Sequence, residues 1–192
     1  DILEAADKLA AFLAQKGVKK GDKVAFFLRN SPEFVYSIFA ASKLGAIVVP
    51  INTFLKEDEL TYILEDSGSS VLIASAVHGK VVNSSKASSL CQFILWEDEM
   101  SAQGEQHYSF DEALKTDTSV EHTPSALEDT AVLIYTSGTT GKPKGAMLSH
   151  KNIFSKARSG QKTIKVKPRD RGIVFLPMLH SFTFTIAIML PM

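Results

Sequence analysis

The sequence is poor in the residues that mark several classes of protein. It has one cysteine, Cys91, among 192 residues, which excludes an internal disulfide and a cysteine metal cluster. Neither sign of charge is in excess, with 21 Lys and Arg against 21 Asp and Glu, so no overall basic field indicates a nucleic-acid partner. What is present, 45% hydrophobic and 22% charged residues, is typical of a folded globular domain. Cys91 is therefore predicted to be a small buried hydrophobic residue.

The two ends of the sequence differ in composition, with charged residues at the start and none in the last twenty positions. The chain starts at Asp1 without a basic segment and a following apolar one, so no secretory signal is predicted and a cytoplasmic, reducing compartment is expected. Residues 173–192 contain no charged residue, which by length alone would permit a membrane span. Two prolines and several polar residues interrupt this run. We interpret it as a buried strand at Ile173–Leu176, a loop at Pro177–Ser181 and a core helix at Phe182–Leu190.

Apolar runs alternate with amphipathic helical patterns over the first hundred residues. Gly17 is a plausible stop for a first helix, and Ser31 and Pro32 are typical of the N-cap and first turn of a second helix, which Gly45 ends. The strand candidates are almost continuously apolar, as expected for a parallel sheet covered on both faces. We predict an α/β fold with layered, mostly parallel sheets and flanking helices. The strand candidates are Lys23–Leu28, Ala46–Ile51, Val71–Ala74 and Gln92–Trp96, and the later helices are expected near 56–66 and 78–88.

Two segments are strongly charged. Residues 97–130 contain ten acidic residues and one lysine, which predicts a solvated excursion with a short helix at Phe110–Lys115. Residues 142–171 contain ten basic residues and one acid, which fits either a surface that attracts a polyphosphate or an ordinary solvated helix.

We divide the chain into a first α/β subdomain at 1–125 and the start of a second at 126–192.

A segment rich in glycine, threonine and lysine follows the strand candidate Ala131–Tyr135. Gly138, Gly141 and Gly145 permit backbone conformations in which N–H groups converge on an anion. Hydroxyl groups and two lysines add donors and positive charge. The segment lacks the spacing of a Walker A loop and of the dinucleotide-binding fingerprint. It therefore predicts a phosphate cradle of another kind.

The run Tyr135–Gly145 resembles the phosphate-binding signature of the adenylate-forming superfamily, and Leu176–Phe184 resembles its acid-pocket segment in the form typical of long- and medium-chain fatty acyl-CoA synthetases. Three further stretches resemble the same superfamily in order and spacing: Ser42–Asn52, Gly145–Ile153 and Leu176–Phe184. The resemblance covers nearly all of this chain but only the opening part of a typical full-length member, so we expect an N-terminal fragment. It implies ATP-dependent activation of a carboxylic acid to acyl-AMP and then acyl-CoA. ATP and coenzyme A would be the co-substrates and Mg²⁺ the cofactor.

The resemblance also implies roles for individual residues. His180 would be the catalytic residue beside the acid pocket, where it positions or gates the acid, and Thr136 would lie near the magnesium ion. The other histidines, His78, His107, His122 and His150, are predicted to be surface or capping residues. Because the family's adenine pocket and catalytic lysine are expected beyond Met192, the fragment alone is expected to be inactive in thioester formation. The residues expected to bind the phosphates are Thr136, Ser137, Gly138, Thr139, Thr140, Gly141, Lys142, Pro143 and Lys144.

The identity of the acid stays open at this point. The apolar run around Pro177–Phe184 favours a fatty acid, while an aryl-acid ligase, an acyl-carrier-protein ligase and an amino-acid adenylation domain are alternatives within the family. An amino-acid activator would need a carboxylate for the ammonium group, and residues 173–192 contain none. Outside the enzyme class, the alternative is a non-catalytic nucleotide- or acyl-binding module. The expected partners are small molecules and no nucleic acid, with peripheral membrane association as a further possibility.

Overall fold

The apolar runs of the sequence become the strands of one sheet. The computed structural model describes residues 1–117, 120–136, 142–165, 167, 169–181 and 183–189. The strands of these residues are β1 Lys23–Phe27, β2 Ile47–Pro50, β3 Ser69–Ala74, β4 Phe93–Trp96, β5 His107–Ser109, β6 Thr130–Thr136 and β7 Lys144–Ser149. Their order across the sheet is β5-β4-β3-β1-β2-β6-β7, and every neighbouring pair is parallel except β6 and β7. The predicted α/β, mostly parallel fold is confirmed.

Local capping signals set the ends of the flanking helices. The Ser31 hydroxyl accepts a hydrogen bond from the backbone N–H of Phe34 at 3.3 Å, and Pro32 is the first residue of its helix, as predicted. Gly45 follows this helix with φ +67°, a conformation that favours glycine and turns the chain directly into β2. The helices are α1 Ile2–Gln15, α2 Pro32–Lys43, α3 Glu57–Ser67, α4 Gly79–Ser84, α5 Ala87–Leu90, α6 Phe110–Ala113 and α7 His150–Ile164, with a 3₁₀ turn at Ala76–His78 and a π-helix at Thr183–Met189.

The central strands bury side chains on both faces, which explains their continuous apolar runs. Phe26 packs in the cluster that includes residues of α1, α2, α6 and the π-helix, whereas Phe27 packs in the opposite cluster with residues of α3, α4 and α5. Cys91 belongs to this second cluster and is 5% exposed. Burial raises the pKa of its thiol to about 12, so the group is a neutral core side chain, as predicted.

The acidic segment 97–130 differs from the prediction of a solvated excursion. It contributes the edge strand β5, which pairs in parallel with β4, and the helix α6, whose Phe110 is 2% exposed. The short predicted helix there is confirmed. Strand β6 follows the proposed boundary at residue 125 and joins the same sheet through pairing of Val48 with Val132. The division into subdomains at 125 and 126 stays a prediction.

The last apolar run also differs from its prediction. Residues 173–176 lie in irregular structure instead of a buried strand, with Ile173 90% and Phe175 81% exposed. The predicted core helix begins within its expected range, but it is a π-helix, in which Phe184 and Ile188 are buried. The single helix predicted near 78–88 is two short helices, α4 and α5. Among the described residues, none of the helices is long and apolar enough to cross a membrane.

Candidate functional site

A cavity of about 490 Å³ opens at the carboxyl ends of the neighbouring parallel strands β2 and β6. Ligands in open α/β sheets commonly bind in the crevice outside these strand ends. Its wall consists of the end of β2, the segment that leads into α3, helix α3, the end of β6, the residue before β7 and the segment before the π-helix. The lining residues are Pro50, Asn52, Leu55, Glu59, Ile63, Ile134, Tyr135, Thr136, Pro143, Leu179, His180 and Ser181.

Three residues that the sequence assigned to one site meet at this cavity. Thr136 and Pro143 line it from the two sides of the β6–β7 connection, and His180 lines it from the segment that leads into the π-helix. His180 is separated from the other two by more than thirty residues in the sequence, so its position beside them is set by tertiary structure. Ser137, Gly138, Thr139, Thr140 and Gly141 lie outside the described residues.

The two lysines of the motif are exposed. Lys144 pairs with Thr136 across the antiparallel β6–β7 ladder, and side chains of directly paired residues lie on the same face. Lys142 places its Nζ atom 5.2 Å from the centre of the Tyr62 ring. Both positive charges lie at the β7 end of the connection, and Thr136 at its β6 end supplies a hydroxyl on the cavity wall, an arrangement suited to a polyphosphate.

Gly145 has a different role from the one that its motif predicts. It lies within β7, where it pairs with Tyr135, and its φ is not positive. A Cβ atom at this position would lie 2.9 Å from Leu133 Cδ1 and 3.2 Å from Tyr135 Cζ. The missing side chain is thus explained by close packing against β6, not by a conformation that directs N–H groups at an anion.

Helix α3 contacts both ends of the β6–β7 connection. The Tyr62 hydroxyl donates to the carbonyl oxygen of Pro143 at 3.3 Å, and the Tyr135 hydroxyl donates to Asp66 Oδ2 at 2.6 Å. Burial, followed by the Asp66 hydrogen bond and charge, raises the pKa of Tyr135, so its hydroxyl remains a donor at neutral pH. The sequence analysis missed Tyr62 and Asp66, and their spacing of one helical turn on α3 was the available signal.

Asn30, which the sequence analysis also missed, holds the segment that carries His180. Its Nδ2 atom donates to the carbonyl oxygen of Leu176 at 2.8 Å, and its Oδ1 atom accepts from the N–H of Met178 at 2.8 Å. The two bonds bracket Pro177, whose ring lacks a backbone donor. Because Asn30 follows β1, it ties the His180 segment to the carboxyl edge of the sheet.

Replacing Asn30 tests this attachment. We expect Asn30→Ala to increase hydrogen exchange at the Met178 amide by about five- to tenfold, the effect of losing a hydrogen bond worth about 1 kcal/mol. Asn30→Asp keeps an acceptor for Met178 but loses the donor for Leu176, so it should preserve most of the Met178 protection. Equal exchange rates at Met178 in the wild type and in Asn30→Ala would contradict the attachment.

Three of the four remaining histidines are not simple surface residues. His78 packs on Phe27 with ring centres 5.1 Å apart, and burial, followed by the charge of Arg29, lowers its pKa. His107 Nδ1 accepts from Trp96 Nε1 at 3.2 Å. His150 is half-buried, whereas His122 is exposed, as predicted. Within the part of the chain that the structure describes, no three His, Cys, Asp or Glu side chains gather as a metal site.

A second cavity, of about 370 Å³, lies between α2, β6, α7 and the π-helix. Most of its lining is apolar and includes Ile38, Val132, Phe154, Phe184 and Met189. The backbone N–H of Phe184, which lines this cavity, donates at 2.9 Å to the carbonyl oxygen of His180, which lines the first cavity. None of the described residues lines both cavities.

Comparison with known proteins places this geometry in a family. A family model described as AMP-binding enzyme matches residues 1–192. A long-chain-fatty-acid–CoA ligase of Mycobacterium tuberculosis is 36% identical over 193 residues, which cover 95% of this chain and 35% of the relative. A feruloyl-CoA synthase of Amycolatopsis is 34% identical over 174 residues, which cover 91% of this chain and 32% of the relative. The chain spans about a third of the length of these curated relatives.

Solved structures give the same assignment. An anthranilate-CoA ligase in complex with anthranoyl-AMP superimposes with a TM-score of 0.90 and 31% identity, covering 99% of this chain and 37% of the other. A fatty acyl-CoA synthetase of Mycobacterium tuberculosis gives a TM-score of 0.81 and 31% identity, covering 98% and 36% of the two chains. The family model spans the whole chain and the superimposed folds agree, so this chain belongs to the AMP-binding enzyme family.

Proposed function

We propose that the complete protein joins a carboxylic acid to ATP, releases pyrophosphate, and transfers the acyl group from the acyl-adenylate to coenzyme A. The observation that carries this proposal is the position of Thr136, Pro143 and His180 on one cavity at the carboxyl edge of the sheet. A carboxylate oxygen attacks the α-phosphorus of ATP while the bond to the departing pyrophosphate breaks. The thiol of coenzyme A then attacks the acyl carbon and displaces AMP.

In this proposal the β6–β7 connection holds the β- and γ-phosphates. Polyphosphate charge repels an approaching carboxylate, so the connection must supply donors and positive charge that offset it. Thr136 supplies a hydroxyl on the cavity wall, and Lys142 and Lys144 supply charge beside it. For Mg²⁺, which binds oxygen ligands and phosphates, the Thr136 hydroxyl on the cavity wall is a compatible oxygen donor. The metal would neutralise phosphate charge.

We infer a fatty acid as the substrate. The 36% identical long-chain-fatty-acid–CoA ligase supports an apolar tail, and so does the apolar cavity lined by Phe184, four residues after His180. His180 would position the carboxylate in the cavity that it lines together with Thr136. The feruloyl-CoA synthase and anthranilate-CoA ligase relatives support an aryl acid as the second candidate. Cytoplasmic localisation and use of coenzyme A rather than a carrier protein are part of the same proposal.

ATP–pyrophosphate exchange by the complete protein tests the proposal. The acids compared are fatty acids of graded length, aryl acids and amino acids. We expect exchange with fatty acids, and we expect His180→Ala to lower it by about 10²-fold because the acid loses a positioned polar partner. His107→Ala is the control, since His107 contacts Trp96 away from the cavity. ATP–pyrophosphate exchange with aryl acids alone would show that the substrate is an aryl acid and not a fatty acid. No exchange with any acid by a folded protein would favour a non-catalytic binding module.

A further inference from the structure

We propose that helix α3 positions the phosphate-binding connection, with Tyr62 and Asp66 as positioning residues for its two ends. This inference rests on the proposed function of the β6–β7 connection in phosphate binding. Neither residue reaches the reacting atoms in this account. Their role is to fix where the connection starts and where it ends, at the described residues Tyr135 and Pro143.

The contacts bracket the connection. Tyr135 is the next-to-last residue of β6 and donates to Asp66 at 2.6 Å, while Pro143 immediately precedes β7 and accepts from Tyr62 at 3.3 Å. Lys142, next to Pro143, lies with its Nζ 5.2 Å from the Tyr62 ring centre, within the range of a cation–π contact. Tyr135 and Pro143, which bound the connection, are therefore both held by one helix.

Helix α3 is a firm support for these contacts. Its residues Leu60, Ile63 and Leu64 are at most 1% exposed in the core, and Glu59 Oε2 accepts from the Lys56 N–H at 3.0 Å to cap its start. Gly68 ends the helix in the left-handed conformation at φ +62°. Tyr62 and Asp66 are four residues apart, so they project from the same side of this fixed helix.

The close packing of β7 against β6 also supports the hydrogen bond between Tyr135 and Asp66. A side chain at Gly145 would meet the Tyr135 ring at 3.2 Å, so the glycine leaves the ring where its hydroxyl reaches Asp66. Burial and the nearby Asp66 charge raise the pKa of both tyrosines, which keeps both hydroxyls protonated as donors at neutral pH. The ring of Tyr135, the carboxylate of Asp66 and the hydroxyl of Tyr62 thus form one set of contacts.

The test compares substitutions on α3. We expect Asp66→Ala and Tyr62→Phe each to raise the KM for ATP in pyrophosphate exchange by about five- to tenfold, with a smaller change in kcat, because each removes one hydrogen bond. Asp66→Asn keeps an acceptor for Tyr135 and should restore most of the affinity. Glu65→Ala is the matched control, since Glu65 is the adjacent carboxylate and lies 4.0 Å from Lys86 instead of facing the connection.

Amide hydrogen exchange does not depend on catalysis, so it tests the positioning role of Tyr62 and Asp66 separately from the proposed function. We expect Asp66→Ala and Tyr62→Phe to increase amide hydrogen exchange of Lys142, Lys144 and Gly145 at unchanged melting temperature, with no such increase in Glu65→Ala. Unchanged exchange at these amides in both variants would overturn the positioning role, whether or not the protein is active. If the wild-type protein shows no ATP–pyrophosphate exchange, but the two variants still exchange these amide hydrogens faster than the wild type does, the positioning role is supported and the proposed function is contradicted.

Discussion

Lys144→Ala is expected to lower ATP–pyrophosphate exchange in the complete protein by about 10²- to 10³-fold, the loss seen when one preorganised group that stabilises developing charge is removed. Lys144 pairs with Thr136, which lines the cavity, and the two side chains extend from the same face of the β6–β7 ladder, where the phosphates are proposed to bind. The carboxylate of the acid must approach a polyanion there, and the lysine offsets part of that repulsion. Both kcat and kcat/KM should fall together, because the effect is expected in the transition state.

The control for this experiment is Lys151, which is also exposed and lies on α7. Lys151 forms an ion pair with Glu128 at 3.2 Å. Because surface ion pairs contribute little, Lys151→Ala should change the rate of ATP–pyrophosphate exchange by less than about twofold. Lys144→Arg keeps the charge and should retain part of the activity. If Lys144→Ala has no larger effect than Lys151→Ala, the phosphates do not depend on this connection.

Gly145→Val is expected to lower the free energy of unfolding by about 1–3 kcal/mol, the usual penalty for forcing carbon atoms into a packed site. Its Cβ would lie 2.9 Å from Leu133 Cδ1 and 3.3 Å from Leu133 Cγ, so the whole Leu133 side chain must shift. The ring of Tyr135 must move as well, and this would weaken the bond to Asp66. Urea denaturation at neutral pH measures the change.

A second glycine provides the matched control. Gly172 has no heavy atom within 4 Å of a built Cβ and does not adopt a positive φ. Gly172→Val should therefore change stability by less than about 0.5 kcal/mol, as expected for an open surface position. Equal stabilities of Gly145→Val and Gly172→Val would show that close packing does not explain the glycine in β7.

Much of the fold follows from local signals in the sequence. Ser31 with Pro32 predicts the start of α2, and Gly45 predicts its end, because these residues satisfy or turn the helix ends within a few residues. The continuous apolar runs predict central strands covered on both faces. Strand β5 was missed because His107–Ser109 is three residues long and has no apolar run, and it forms only by pairing with β4.

The parts of the site that depend on distant contacts could not be predicted. Asp66 and Tyr135 are separated by 69 residues, and Tyr62 and Pro143 by 81, so no local pattern connects them. The apolar run Ile173–Leu176 has the composition of a buried strand, but composition does not specify what covers it, and in this structure it is exposed. The phosphate motif was recognisable because its chemistry is local, whereas its support by α3 is not.

The most direct test of the central claim is an amide chemical-shift titration of this chain with inorganic tripolyphosphate. We expect saturable shifts at Thr136, Lys142, Lys144 and Gly145, which flank the connection, and no comparable shifts in α1 or β3. Lys144→Ala should weaken the saturation, whereas Lys151→Ala should not. Shifts confined to the basic helix α7, or none that saturate, would contradict the proposal that this connection binds the phosphates.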